Sequence, residues 1–159
     1  MYDYATSLRP DDGVVVGGFH SPMERQVLEL LLARHVPLIV VPARNPERMQ
    51  IPKEWRTPMD AGRLTIVSGV GGGTRRPTRD LALKRNLLVA ALSDRVLVPY
   101  ATPGGVAETV ARAAVLRGVP LLTFRDEDNA SLLGLGAVAL EGRNAEVRNE
   151  EGEAWRWDE

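Results

Sequence analysis

Six short apolar runs punctuate this chain, and the segments between them carry apolar residues at helical spacing. The runs are GVVVGG (Gly13–Gly18), PLIVVPA (Pro37–Ala43), RLTIVSG (Arg63–Gly69), RVLVPYA (Arg95–Ala101), PLLTF (Pro120–Phe124) and the short AVAL (Ala137–Leu140). A strand that is apolar throughout, rather than alternating, is buried on both faces. Strands of that kind separated by helices make a parallel sheet with helices on either side. Few other sequence features restrict a fold so strongly.

The intervening segments supply the helices. PMERQVLELLLARH follows the first run, with Ser21 as N-cap, Pro22 at N1 and Glu24 at N3, a capping box. RNPERMQIPKEWRTPMDAG is irregular, with a helical turn near Pro46 to Met49. TRDLALKRNLLVAAL (Thr78–Leu92) reads as a helix whose second half is apolar on nearly every side. GGVAETVARAAVLRG is a helix closed by Gly118 at C′, and NASLLGLG is a short one. Right-handed crossovers then give an α/β fold: a three-layer, doubly wound, Rossmann-like sandwich with a mostly parallel sheet of core order 3-2-1-4-5. The length of 159 residues suits one domain. Its core is expected at about residues 13–140, with an acidic extension over 141–159, where Trp155 and Trp157 alternate and can share one face of a small hairpin.

Composition narrows the chemistry. With no cysteine and only two histidines, cysteine-metal centres are excluded and a histidine-rich metal site is not expected. With 20 basic and 21 acidic side chains, a general electrostatic grip on nucleic acid is not built in; it would need a local basic patch. The opening MYDYATSLRPDDG has no signal-peptide character, and no apolar run is long enough to span a bilayer. A cytoplasmic protein is expected, with no membrane partner.

Ligands of such folds sit beyond the carboxyl ends of the strands, where strand order reverses. Three loops there are glycine-rich. In GGFHSP, Gly17, Gly18 and Ser21 are candidate contacts to an anion at a helix N-terminus, and His20 is a candidate acid or base. SGVGGGTRRP matches neither the P-loop nor the dinucleotide fingerprint. Its Arg75, Arg76 and Arg79, with Lys84, form the local basic cluster and a candidate nucleic-acid patch; a solvated loop is the plainer reading. In TPGG, Thr102, Pro103, Gly104 and Gly105 join the fourth strand to its helix. Glu108, one turn on, either contacts a ribose, acts as a base, or serves the first turn of its helix. In the expected strand order GGFHSP and TPGG face one crevice. Arg85 falls on one helix face with Leu81, Leu88 and Leu92 at about 100° per residue. A guanidinium there requires a carboxylate, a carbonyl or a ligand phosphate, and Asn86 adds an amide beside it.

KRNLLVAALSDRVLVPYATPGGVAETVARAAVLRGVPLLTF resembles the second half of the Rossmann-like domain of the DNA-processing protein A family. The likeness lies in the Arg85-Asn86 pair opening a helix, the "aalsd.vlv" strand and the small-residue turn. VVVGGFHSPMERQVLELLLARHVPLIVVPAR resembles its first half. The resemblance runs from about Gly13 to Phe124 and implies single-stranded DNA or nucleotide binding, and self-association. Pro103-Gly104-Gly105 also resembles the Pro-Gly-Gly-x-Gly-Thr-x-x-Glu motif of lysine-decarboxylase-like "lonely guy" proteins, which cleave nucleoside monophosphates. Here the Gly-Thr is replaced and Ala111 stands at the glutamate position. Two functions are thus expected: a binder of a nucleotide, a nucleotide-derived ligand or single-stranded nucleic acid, or a phosphoribohydrolase with Arg85 on the phosphate and Glu108 at the ribose. A third is an assembly module, with Trp55, Trp155 and Trp157 as interface anchors. A homo-oligomer is expected, with no metal and no certain cofactor.

Overall fold

The computed structural model describes residues 1–71 and 78–140. Its strands are β1 (Val15–Gly17), β2 (Leu38–Val40), β3 (Leu64–Ile66), β4 (Val96–Leu97), β5 (Leu121–Phe124) and β6 (Val138–Leu140). Its helices are α1 (Tyr2–Ser7), α2 (Pro22–Ala33), α3 (Lys53–Asp60), α4 (Arg79–Ala91), α5 (Val106–Leu116) and α6 (Ala130–Gly134), with short 3-10 turns at Pro10–Asp12, Pro46–Arg48 and Glu127–Asn129. All pairings are parallel, and the α/β class follows as the apolar runs require. Val15 pairs with Leu38 and Leu38 with Leu64 in one sheet; Val96 pairs with Leu121 and Leu122 with Val138 in the other.

The sheet differs in one respect from the expected single layer. The strands form two three-stranded sheets, ordered β1-β2-β3 and β4-β5-β6. The halves 3-2-1 and 4-5 are present, but among the described residues no ladder joins β1 to β4. Both strands are short. β1 runs out into Gly18, and β4 has two paired residues before Pro99, which has no N–H to donate. The split falls at the point where strand order reverses. The expected terminal hairpin lies outside the described residues.

Each half has its own core. Leu28, Leu31, Val36, Leu38, Val40 and Leu64 pack with Ala5 of α1 in the first. Val96, Val98, Val110, Ala111, Ala114, Leu121 and Leu132 form the second. Small Ala111 and Ala114, both 0% exposed, let α5 lie close on its sheet. Two helices connect the halves. Tyr4 of α1 meets Phe124 of β5 edge to face, with ring centroids 6.4 Å apart and planes at 73°. α4 packs Leu83, Leu87 and Ala90 into the second core, while its opposite face turns to the loops of the first half.

α1 was not legible in the sequence, because six residues give no helical period to read. Trp55, expected as an exposed anchor, instead packs half-buried against the first core with Met59 and Ile66. Trp155 and Trp157 lie outside the described residues. Among the described residues no helix is long and apolar enough to cross a membrane.

Candidate functional site

The loop after β1 turns on Gly17, Gly18 and Phe19. Gly17 still belongs to the ladder, its carbonyl accepting from Val41 N–H at 2.8 Å. Phe19 holds φ +47°, a left-handed conformation that costs a non-glycine residue about 1–2 kcal/mol. It is held there because its ring folds back beneath Gly17, where a Cβ would lie 3.0 Å from ring carbons, and packs into the first core. Gly18 has a different constraint. A Cβ there would fall 1.7 Å from Nη1 and 2.3 Å from Cζ of Arg85. The guanidinium thus rests on the backbone of Gly18, in the space that any other residue would fill.

α2 starts with the capping box read from the sequence. Ser21 Oγ accepts from Glu24 N–H at 3.2 Å, and Glu24 Oε2 accepts from Ser21 N–H at 2.8 Å. The same Oε2 also accepts from His20 N–H at 3.1 Å. Two backbone donors that would greet an anion are therefore engaged by the chain's own carboxylate. The His20 side chain is exposed.

Arg85 reaches this loop from α4. It is 9% exposed, and its Nε has no hydrogen-bond partner among the described residues. Burial lowers its pKa, opposed by the negative charge of Glu24; the group stays a cation, since guanidinium is not deprotonated in proteins. An unmet donor on a buried cation is costly unless something accepts from it. Asn86 is half-buried beside it. Leu88, on the same face as Arg85, reaches Gly69 in the loop after β3, where a Cβ would meet its Cδ2 at 3.5 Å.

The TPGG segment is a β-turn. Gly105 N–H donates to Thr102 O at 2.9 Å, with Pro103 at the second position and Gly104 at φ +73° in the third. That is the type II pattern, which favours proline and then glycine in those places. Gly105 is the N-cap of α5 and has no side chain to cap with. Glu108, at N3, takes the N–H of Gly104, the residue before the N-cap, and forms an ion pair with Arg112. The Gly104 hydrogen bond, then Arg112, hold its carboxyl below the ordinary value. Of the roles open to Glu108, service to the first turn is the one its contacts describe. Ala111, at the glutamate position of the phosphoribohydrolase motif, is a methyl group sealed in the second core.

Asn129 supports this end of the second sheet and was missed in the sequence. Its Nδ2 donates to Pro99 O at 2.9 Å and to Phe124 O at 3.1 Å, tying together the exits of β4 and β5. The run of acidic residues before it, whose Asp126 caps the preceding turn, is the only local signal.

The structure brings Gly18, Arg85 and the Ser21–Glu24 box together. Gly104, Gly105 and Glu108 form a separate cluster at the head of α5, which packs beside α4. Arg79 and Lys84 are exposed on α4. Arg75 and Arg76 lie outside the described residues. Among the described residues no three metal-ligating side chains cluster.

Parallel strands wound in two directions from a switch point, with helices between them, define a doubly wound Rossmann-like α/β fold. Within that class the fold is that of DNA processing protein A. The chain superposes on the structure of that protein from Helicobacter pylori, described for its single-stranded DNA binding mode, with TM-score 0.66 and 21% identity, over 91% of this chain and 70% of that one. On the X-ray structure of DNA processing protein A from Streptococcus pneumoniae the TM-score is 0.61 with 19% identity, over 80% of this chain. The match spans 47% of the S. pneumoniae chain, less than half its length. No protein-family model and no curated protein matches the sequence.

Proposed function

We propose that this chain is a DNA processing protein A-like domain that binds single-stranded nucleic acid, with Arg85 as its phosphate contact and DNA processing as its setting. The observation that carries the reading is the buried Arg85 guanidinium on Gly18, with an Nε donor that meets no acceptor among the described residues. The likeness to a protein described as binding single-stranded DNA supports it. Exposed Arg79 and Lys84 on the same helix give a strand a route toward Arg85, and Gly17, Ser21, Asn86 and the TPGG turn are proposed to line the crevice. Net charge is -1, so a single subunit binds weakly, and self-association that pools these cations is part of the proposal.

Fluorescence anisotropy with a labelled oligothymidylate, measured across a salt series, tests it. Each neutralised phosphate of a single strand contributes about -0.7 to the slope of log K against log salt, so three cations give about -2. The Arg79→Ala, Lys84→Ala double variant reduces the slope to roughly a third of that. Absence of any salt-sensitive binding refutes the proposal.

A further inference from the structure

An anion in a β–α crevice ordinarily draws on loop N–H groups at the helix N-terminus. Here Glu24 Oε2 takes the N–H groups of Ser21 and His20, at 2.8 and 3.1 Å. The head of α5 forms a separate cluster, where Gly104 N–H goes to Glu108. Beside the Ser21 and His20 N–H groups lies the Arg85 guanidinium, nine-tenths buried against Gly18, its Nε without a hydrogen-bond partner among the described residues. Among the described residues, Glu24 is the charged group acting on that guanidinium. Together the two side chains are electrically neutral. A phosphodiester would give this pair and its ligand one net negative charge, and a phosphomonoester two, beside a guanidinium that is nine-tenths buried and so less screened by water.

We infer that the crevice selects the singly charged phosphodiester within a strand over the doubly charged phosphomonoester of a free nucleotide, and that Glu24 sets this preference. The inference rests on the reading of the crevice as a phosphate site, and it decides between two of the ligands that reading admits. Glu24 has two roles on this view. It caps α2 and positions the loop, and its charge makes a terminal phosphate a poor ligand.

The test is competition against a labelled oligothymidylate without terminal phosphates, with full-length chain at about pH 8, where a monoester carries close to two charges. The competitors are thymidine 5′-monophosphate and its methyl ester, which differ by one charge and share base and sugar. The methyl ester is expected to displace the strand at roughly tenfold lower concentration. In Glu24→Gln the amide oxygen can still accept in the capping box, and the difference is expected to shrink to roughly twofold. Circular dichroism and a melting curve establish that this variant is folded; if it is not, the wild-type comparison still decides the selectivity. Equal displacement by both competitors, by neither, or better displacement by the monophosphate overturns the inference. So does a folded Glu24→Gln with an unchanged gap. Failure of the strand itself to bind is a different result, and it overturns the function proposed above.

Discussion

His35 sits at φ +62° just past the end of α2. Its N–H donates to Leu32 O and the Val36 N–H to Leu31 O, both at 3.1 Å, which is a Schellman closure with histidine at C′. α3, α5 and α6 close in the same way with Gly62, Gly118 and Gly136 at that place. The left-handed conformation costs histidine about 1 kcal/mol that glycine avoids. His35→Gly is therefore expected to raise the melting temperature by about 2–4 °C, and an unchanged or lower value contradicts this. Gly18 is the opposite case. In Gly18→Ala the new methyl must displace the Arg85 guanidinium, the far end of a flexible side chain. The expected cost is about 1–3 kcal/mol of overpacking, with strand affinity falling while the circular dichroism spectrum is retained. Retained affinity would show that Arg85 does not act from that position. The glycine was legible as a position of close approach. That an arginine from a distant helix makes the approach was not, because nothing local in GGFHSP encodes α4.

At the scale of elements, the head of α5 ties its helix to the turn before it. Glycine at N-cap leaves the first turn without a side-chain acceptor, and Glu108 at N3 holds the N–H of Gly104, just ahead of the N-cap. Because its folded-state pKa is depressed, Glu108 contributes stability that is fully present above the unfolded carboxylate value of about 4.3. That contribution is lost as pH falls through the lower folded value. Urea unfolding of wild type and Glu108→Gln should diverge at neutral pH and converge as pH falls through the depressed folded value; a gap independent of pH would assign the effect to packing instead. α4 shows the limit of pattern reading. Its apolar residues occur on nearly every side, so the stripe Leu81–Arg85–Leu88–Leu92 stood out around its charge. The face buried in the second core is the opposite one, Leu83, Leu87 and Ala90, and Leu92 is exposed. Periodicity finds a helix, but it cannot choose between two apolar faces when each half of the molecule claims one.

At the scale of the molecule, two small sheets with separate cores are held together by α4 and by the contact of Tyr4 with Phe124. Tyr4 is half-buried at that junction, and burial is the main cause that raises its pKa. Tyr4→Leu keeps much of the apolar area and loses the edge-to-face pairing, worth about 0.5–1.5 kcal/mol. The expected result is a melting temperature lower by roughly 2–4 °C, with the two halves still unfolding together; no change would mean that α1 contributes nothing at the junction.

The sequence alone determined the α/β class, the parallel pairing, the capping box of α2, the glycine closure of α5 and the glycine turns after β1 and β4. Each of these depends on residues within about a turn or a strand of one another, where sterics and hydrogen bonding act locally. The tertiary structure decided the split between β1 and β4, the bridging role of α1, which face of α4 is core, and what meets Arg85. Those outcomes depend on contacts between segments far apart in the chain. They turn on whether a given volume is filled by a side chain, a backbone or a charge, which is settled only when both segments are in place.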